Sequence, residues 1–182
     1  MSNSRRFLKR LLTNPFSVIG LVLVFGVMLC ASFAPALTTM NPNEINYDIF
    51  LLPPSAAHLM GGDDLGRDVF SRVLYGARLS LTVGLLSQAI ALVLGLLVGL
   101  LAGYVGGLVD TLLMRLVDLV LAFPFVILAI ALVVALGPNL IDSYIALGLA
   151  GWPYLARVVR AQVLVSKETD FVQAATSLGA SP

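Results

Sequence analysis

The 182 residues are 59% hydrophobic and only 12% charged, with a net charge of +1 and a mean hydropathy of +0.97. Soluble domains carry about 25% charged residues, so the composition excludes a soluble globular domain and marks an integral membrane protein. No basic face or stripe is present, which excludes nucleic-acid binding, and the single cysteine, Cys30, can form no internal disulfide.

In chain order, residues 1–14 carry Arg5, Arg6, Lys9 and Arg10 and no acid. The stretch that follows, Phe16 to Leu37, has no charge and spans about 33 Å as a helix, enough to cross a bilayer and too long for a signal-peptide core. It predicts a first transmembrane helix within 15–37, with the basic cluster holding the N-terminus in the cytoplasm. Residues 38–78 are polar and broken by Pro42, Pro53 and Pro54, and are expected to be an extracytoplasmic loop. Within it, Asp63, Asp64 and Asp68 are balanced by Arg67, Arg72 and Arg78, and the spacing of His58 and the aspartates fits no calcium loop. Turns at Gly61, Gly62 and Gly66 are expected to let these charges pair locally.

Leu79 to Val109 carries no formal charge. Ser87, Ala91, Gly95, Gly99, Gly103 and Gly107 recur every four residues along it, a small-residue stripe that predicts close packing against another helix. Arg115 and Asp118, three apart, are expected to pair on one face near the cytoplasmic interface. Pro124 is expected to kink the next span, and Gly137-Pro-Asn139 to form an outer turn. Ser143 to Val165 returns inward with Arg157 and Arg160 near its inner end. The expected architecture is all-α, with four transmembrane helices at 16–37, 79–104, 114–136 and 143–165; residues 79–165 hold the core helices. Four spans place 166–182 in the cytoplasm.

Residues 166–182 hold the one amphipathic signal. Phe171, Ala174, Ala175 and Leu178 fall on one narrow face, Asp170 is placed to cap with Gln173 in the reciprocal position, and Gly179 is placed to end the helix. A helix this short needs a holder. Nucleotide loops, zinc clusters, nucleophile elbows and dinucleotide fingerprints are absent from the sequence, as are buried ionisable pairs of the kind ion-coupled carriers use. A helix driven by a separate soluble partner fits this pattern.

Phe171-Val-Gln-Ala-Ala-Thr-Ser-Leu-Gly179 resembles the E-A-A-x-x-x-G loop of permease subunits in bacterial ATP-binding-cassette importers. Gly61, Asp63, Leu65-Gly-Arg-Asp68, Ser71-Arg72 and Gly76-Ala-Arg-Leu-Ser-Leu81 resemble the C-type permease of the dipeptide, oligopeptide and nickel branch. So do Ala102-Gly-Tyr, Gly106-Gly, Asp110, Met114-Arg115, Asp118, Ala122-Phe-Pro124, Gly151-Trp-Pro, Ala156-Arg157 and Val159-Arg160. Two positions depart from the pattern: Gln173 stands where the motif usually has Glu, and Gly62 where Thr is common.

The resemblance implies the N-terminal part of a type I importer permease fold in the bacterial inner membrane. It implies a chain without its own ATPase site, with ATP and magnesium in two cytosolic ATP-binding subunits, a second permease subunit and an extracytoplasmic solute-binding protein. It assigns docking on the ATPase to Phe171, Gln173, Ala174, Ala175, Leu178 and Gly179. The family's loop continues to an I-x-L-P segment and further spans, so 166–182 is expected to be an incomplete coupling loop of a truncated permease or fragment. Cargo stays open among dipeptides, longer peptides, nickel and glutathione-like molecules. Tyr144, Trp152 and Phe123 are aromatic candidates for a path, with packing or lipid-facing roles as the alternative. A self-contained ion-driven carrier or channel and a structural subunit that anchors a cytosolic partner remain the rival classes.

Overall fold

The computed structural model describes residues 11–38 and 40–179; the basic cluster of Arg5, Arg6, Lys9 and Arg10 and the residues after Gly179 lie outside them. The regular structure among the described residues is helical, with one isolated bridge between Gly62 and Asp68. The chain divides into two compact units, Met1–Thr82 and Val83–Pro182.

In the first unit, helix α1 (Pro15–Ser32) starts where Pro15 occupies the first turn and the Asn14 side chain accepts from Phe16 N at 3.0 Å. The span expected as one helix to Leu37 stops at Phe33, and a single turn, α2 (Ala34–Leu37), follows. Pro35 explains the break, because its ring cannot coexist with the carbonyl four residues earlier in a continuous helix. A 3-10 turn at Tyr47–Ile49 then leads, through irregular chain, into α3 (Val69–Val105).

The 37-residue α3 begins ten residues before the expected position, so the loop assigned to 38–78 ends at Asp68. Hydropathy marks where a helix enters lipid, whereas Asp68 sets where this helix begins: its carboxylate accepts from Ser71 N at 2.8 Å in the first turn. At 1.5 Å per residue α3 is about 55 Å long, well beyond a ~30 Å hydrocarbon core.

In the second unit, the C-terminal part of α3 is followed by α4 (Gly107–Leu121), α5 (Phe125–Leu136), α6 (Leu140–Lys167) and α7 (Asp170–Ser177). α4 and α5 meet at 90°, so the kink expected at Pro124 is a full break. Among the described residues two helices, α1 and α3, are long and apolar enough to cross a membrane, or three if α4 and α5 count as one broken span. α6, which carries the fourth expected span, is long enough at 28 residues. Asp142, Arg157, Arg160 and Lys167, with Trp152 and Pro153 between them, keep it from counting as apolar.

The core of this unit lies where α3 and α6 run side by side. Ala91, Val117, Trp152 and Ala156 are buried together, with Met114, Leu121 and Leu155 packed on them. A Cβ on Gly95 would lie 2.5 Å from Leu155 Cβ and 3.1 Å from Trp152 O; one on Gly99 would lie 2.6 Å from Ala156 O; one on Gly103 would lie 2.8 Å from Val163 Cβ and 3.1 Å from Arg160 O. The contacts advance in step along both helices, which are therefore parallel. Gly107 is not part of this row: it begins α4 at φ +56° with nothing near its missing Cβ.

Gly99→Leu should therefore force the two backbones apart and destabilise the protein by about 1–3 kcal/mol. Gly26→Leu in α1, where nothing lies within 4 Å, should be nearly neutral. Thermal unfolding of the two variants in the same detergent checks the contrast.

Candidate functional site

α7 is short, and none of its residues is buried. Its N-cap is Thr169, one residue before the Asp170 expected, and no side chain caps it. The reciprocal capping pair does not form. Instead Gln173 Nε2 donates to Glu168 O at 3.3 Å, a bond the ionised Glu usual at this position could not make. Thr169 Oγ1 donates to Ser166 O at 2.8 Å, which shapes the turn between α6 and α7. The helix ends on Gly179 at φ +90°, a conformation costly for any residue with a Cβ.

The expected docking face is divided. Phe171 and Ala175 line a groove of about 970 Å³ closed on its other sides by Leu96, Leu100 and Tyr104 of α3 and Val163 of α6. Gln173, Ala174, Leu178 and Gly179 do not line it. Leu178 is 89% exposed and Phe171 75% exposed, unusual for apolar side chains on a polar-flanked helix.

The turn before α7 is anchored by a contact that local sequence patterns do not reveal. Lys167 Nζ donates to Tyr104 O at 2.5 Å and lies 5.3 Å above the Tyr104 ring. The ammonium thus satisfies a carbonyl at the C-terminal end of α3, where the helix dipole also favours a cation.

Two ion pairs tie α4 to α6. Arg160 holds Asp110 with two bonds, Nε to Oδ1 at 2.5 Å and Nη2 to Oδ2 at 2.6 Å. Arg157 Nη2 donates to Asp118 Oδ1 at 2.6 Å, with both side chains about half exposed, 51% and 49%. The Arg115–Asp118 pair expected from spacing does not form; Asp118 takes a partner 39 residues away. Of the aromatic candidates for a path, Trp152 is 8% exposed and belongs to the core, whereas Phe123 is 53% exposed.

In the other unit the charged loop forms two polar knots. Asp63 accepts from Leu65 N, from Arg67 N and Nε, and from Arg72. Burial pushes its carboxyl up, but these bonds outweigh it and hold the group well below the usual carboxylate range. Asp68, 5% exposed, accepts from Ser71 N and Ser71 Oγ and meets His58 Nδ1 at 3.1 Å, while Ser71 Oγ shares a 2.7 Å bond with Thr38 Oγ1. Here too burial raises the carboxyl and the bonds from Ser71 and His58 prevail, holding it below the usual value. Gly66 permits the turn that closes the loop: it sits at φ +70°, and a Cβ there would lie 2.3 Å from Asn46 O.

Because folding favours the charged form of Asp68, the stability it contributes is present above the ordinary carboxylate pKa of about 3.9 and is lost as pH falls through its lower folded value. Protection factors over residues 46–72, taken relative to intrinsic exchange at each pH, should fall as pH drops below about 4, and Asp68→Asn should weaken that dependence.

Two family descriptions match the sequence. Residues 95–182 match the binding-protein-dependent transport system inner membrane component, and residues 2–54 match the N-terminal TM domain of oligopeptide transport permease C. Among curated relatives, a dipeptide transport system permease protein of Alkalihalophilus pseudofirmus is 43% identical over 96% of this chain and 58% of its own length. A probable D,D-dipeptide transport system permease protein of Escherichia coli K12 is 41% identical over 98% of this chain and 60% of its own. The dipeptide transport system permease protein of the same strain is 47% identical over 92% and 58%. The chain spans about three fifths of the length of these relatives.

Proposed function

The chain belongs to the family of binding-protein-dependent transport system inner membrane components, and from that premise we propose that it forms part of the transmembrane path of an ATP-driven importer of short peptides. Peptides are favoured over nickel because the relatives named above are peptide permeases. The partners are a second permease subunit, two cytosolic ATP-binding subunits that carry ATP and magnesium, and an extracytoplasmic solute-binding protein. The N-terminus lies in the cytoplasm, and α6 completes a fourth span with Lys167, its last residue, at the headgroups.

The observation that carries the coupling role is α7 itself. A helix of eight residues is too short to persist alone in water, yet it holds Phe171 and Leu178 in the open. A cleft on an ATP-binding subunit would cover them and would use the helix as a rigid handle on α6. Gln173 keeps the turn closed through Glu168 O but brings no negative charge to the interface.

Leu178→Ala should weaken association of the assembled permease with its ATP-binding subunit by about tenfold, the cost of losing one apolar anchor. Gly179→Val, strained at φ +90°, should abolish both association and ATP-dependent peptide uptake in proteoliposomes. Unimpaired uptake and co-purification in both variants would falsify the coupling role.

A further inference from the structure

The ties between α4 and α6 are of two kinds. Asp110–Arg160 is doubly bonded and largely covered, 18% and 32% exposed. Asp118–Arg157 has one bond and is half open on both sides. Around α4, Thr111 and Arg115 fall within about 60° of Asp118 at 100° per residue, and all three are exposed. Arg115 has no ion-pair partner among the described residues. α4 thus presents a polar stripe, continued onto α6 by Arg157.

Depth makes this stripe informative. Arg157 lies ten residues before Lys167, about 15 Å along α6. On the four-span reading proposed above, with Lys167 at the headgroups, this puts the pair within the ~30 Å hydrocarbon core. Charges at that depth face the bundle interior or water rather than lipid, and this pair is half open rather than enclosed in the packed core.

We propose that Asp118, Arg157 and Arg115 line the aqueous path of the permease and receive the charged termini of a passing zwitterionic peptide, Asp118 taking the ammonium and the two arginines the carboxylate. This rests on the peptide-importer reading above. The Asp118–Arg157 bond is the resting state of the site: each group neutralises the other when the path is empty, and a peptide supplies both replacement partners at once. One surplus arginine keeps a carboxylate acceptor free while Arg157 is still paired. The covered Asp110–Arg160 pair remains the structural tie, so the open pair can separate without releasing α4 from α6.

The test uses the permease assembled with its partner subunits in liposomes. In a Cys30→Ala background, Thr111→Cys should react with a membrane-impermeant cationic thiol reagent, whereas Val134→Cys on the apolar α5 serves as the unreactive reference. Asp118→Asn and Arg157→Gln should each cut dialanine uptake per ATP hydrolysed by about tenfold, with binding-protein stimulation of ATP hydrolysis retained and Asp118→Glu recovering most of the uptake. An unreactive Thr111→Cys overturns the inference, because the stripe is then covered by lipid or by another subunit. So does unchanged uptake per ATP, or a loss of uptake that comes with loss of assembly, which makes the pair a structural tie. If the parent complex shows no ATP-dependent uptake while Thr111→Cys still reacts, it is the importer reading that fails.

Discussion

The close approach of α3 and α6 is the constraint on which the second unit depends. Three glycines spaced four apart remove the side chains that would hold the helices at an ordinary separation, so carbonyl oxygens and Cβ atoms of α6 occupy the space where a Cβ would be. In lipid no hydrophobic force drives helices together, and dispersion over such an interface takes its place. Opposite the glycines α6 presents the Cβ atoms of Leu155, Val159 and Val163 and the backbone of Trp152, Ala156 and Arg160, which fill the space left by the missing side chains. Everything else in the unit is added to that pair: α4 by Val117 and two ion pairs, α5 through α6, and α7 through the turn after Lys167.

Charge is the second organising element, and its placement follows burial. Where carboxylates are mostly covered they hold several partners: Asp68 holds Ser71 and His58, Asp63 two arginines and two amides, and Asp110 the Nε and Nη2 of one guanidinium. Holding each carboxylate from several directions, these sites fix the local chain geometry even where their net stabilising contribution is small. Asp118 and Arg157 are the exception, paired once and half open.

Legibility from sequence followed the range of each interaction. The glycine stripe was visible because it repeats along one helix; its partner was not, because Trp152 and Ala156 lie more than fifty residues away and carry no mark of pairing. For Asp118 the local rule pointed to Arg115, three residues off, and the longer reach to Arg157 prevailed because α6 passes alongside. The end of α7 at Gly179 was legible to the residue, since only glycine takes φ +90° cheaply. Its beginning was missed by one residue, as Thr169 and Asp170 are both acceptable caps. The start of α3 was misplaced by ten residues because absence of charge reports lipid contact, and a helix held by Asp68 can continue well beyond it.

The joints of α4 explain why its ties to α6 carry so much. It leaves α3 through Gly106 and Gly107, consecutive residues at positive φ with nothing near their missing Cβ atoms, and it meets α5 at a right angle. Neither joint fixes its direction by packing at the joint itself. Direction comes instead from Val117, fully buried between the helices, and from Asp110 and Asp118 held by arginines less than one turn apart on α6. α6 runs within three residues into α7, and Lys167 binds that junction to the end of α3. A displacement applied at α7 therefore enters α6 first and reaches α4 through the arginines, which makes the C-terminal half of α6 the element whose position the rest of this unit must follow.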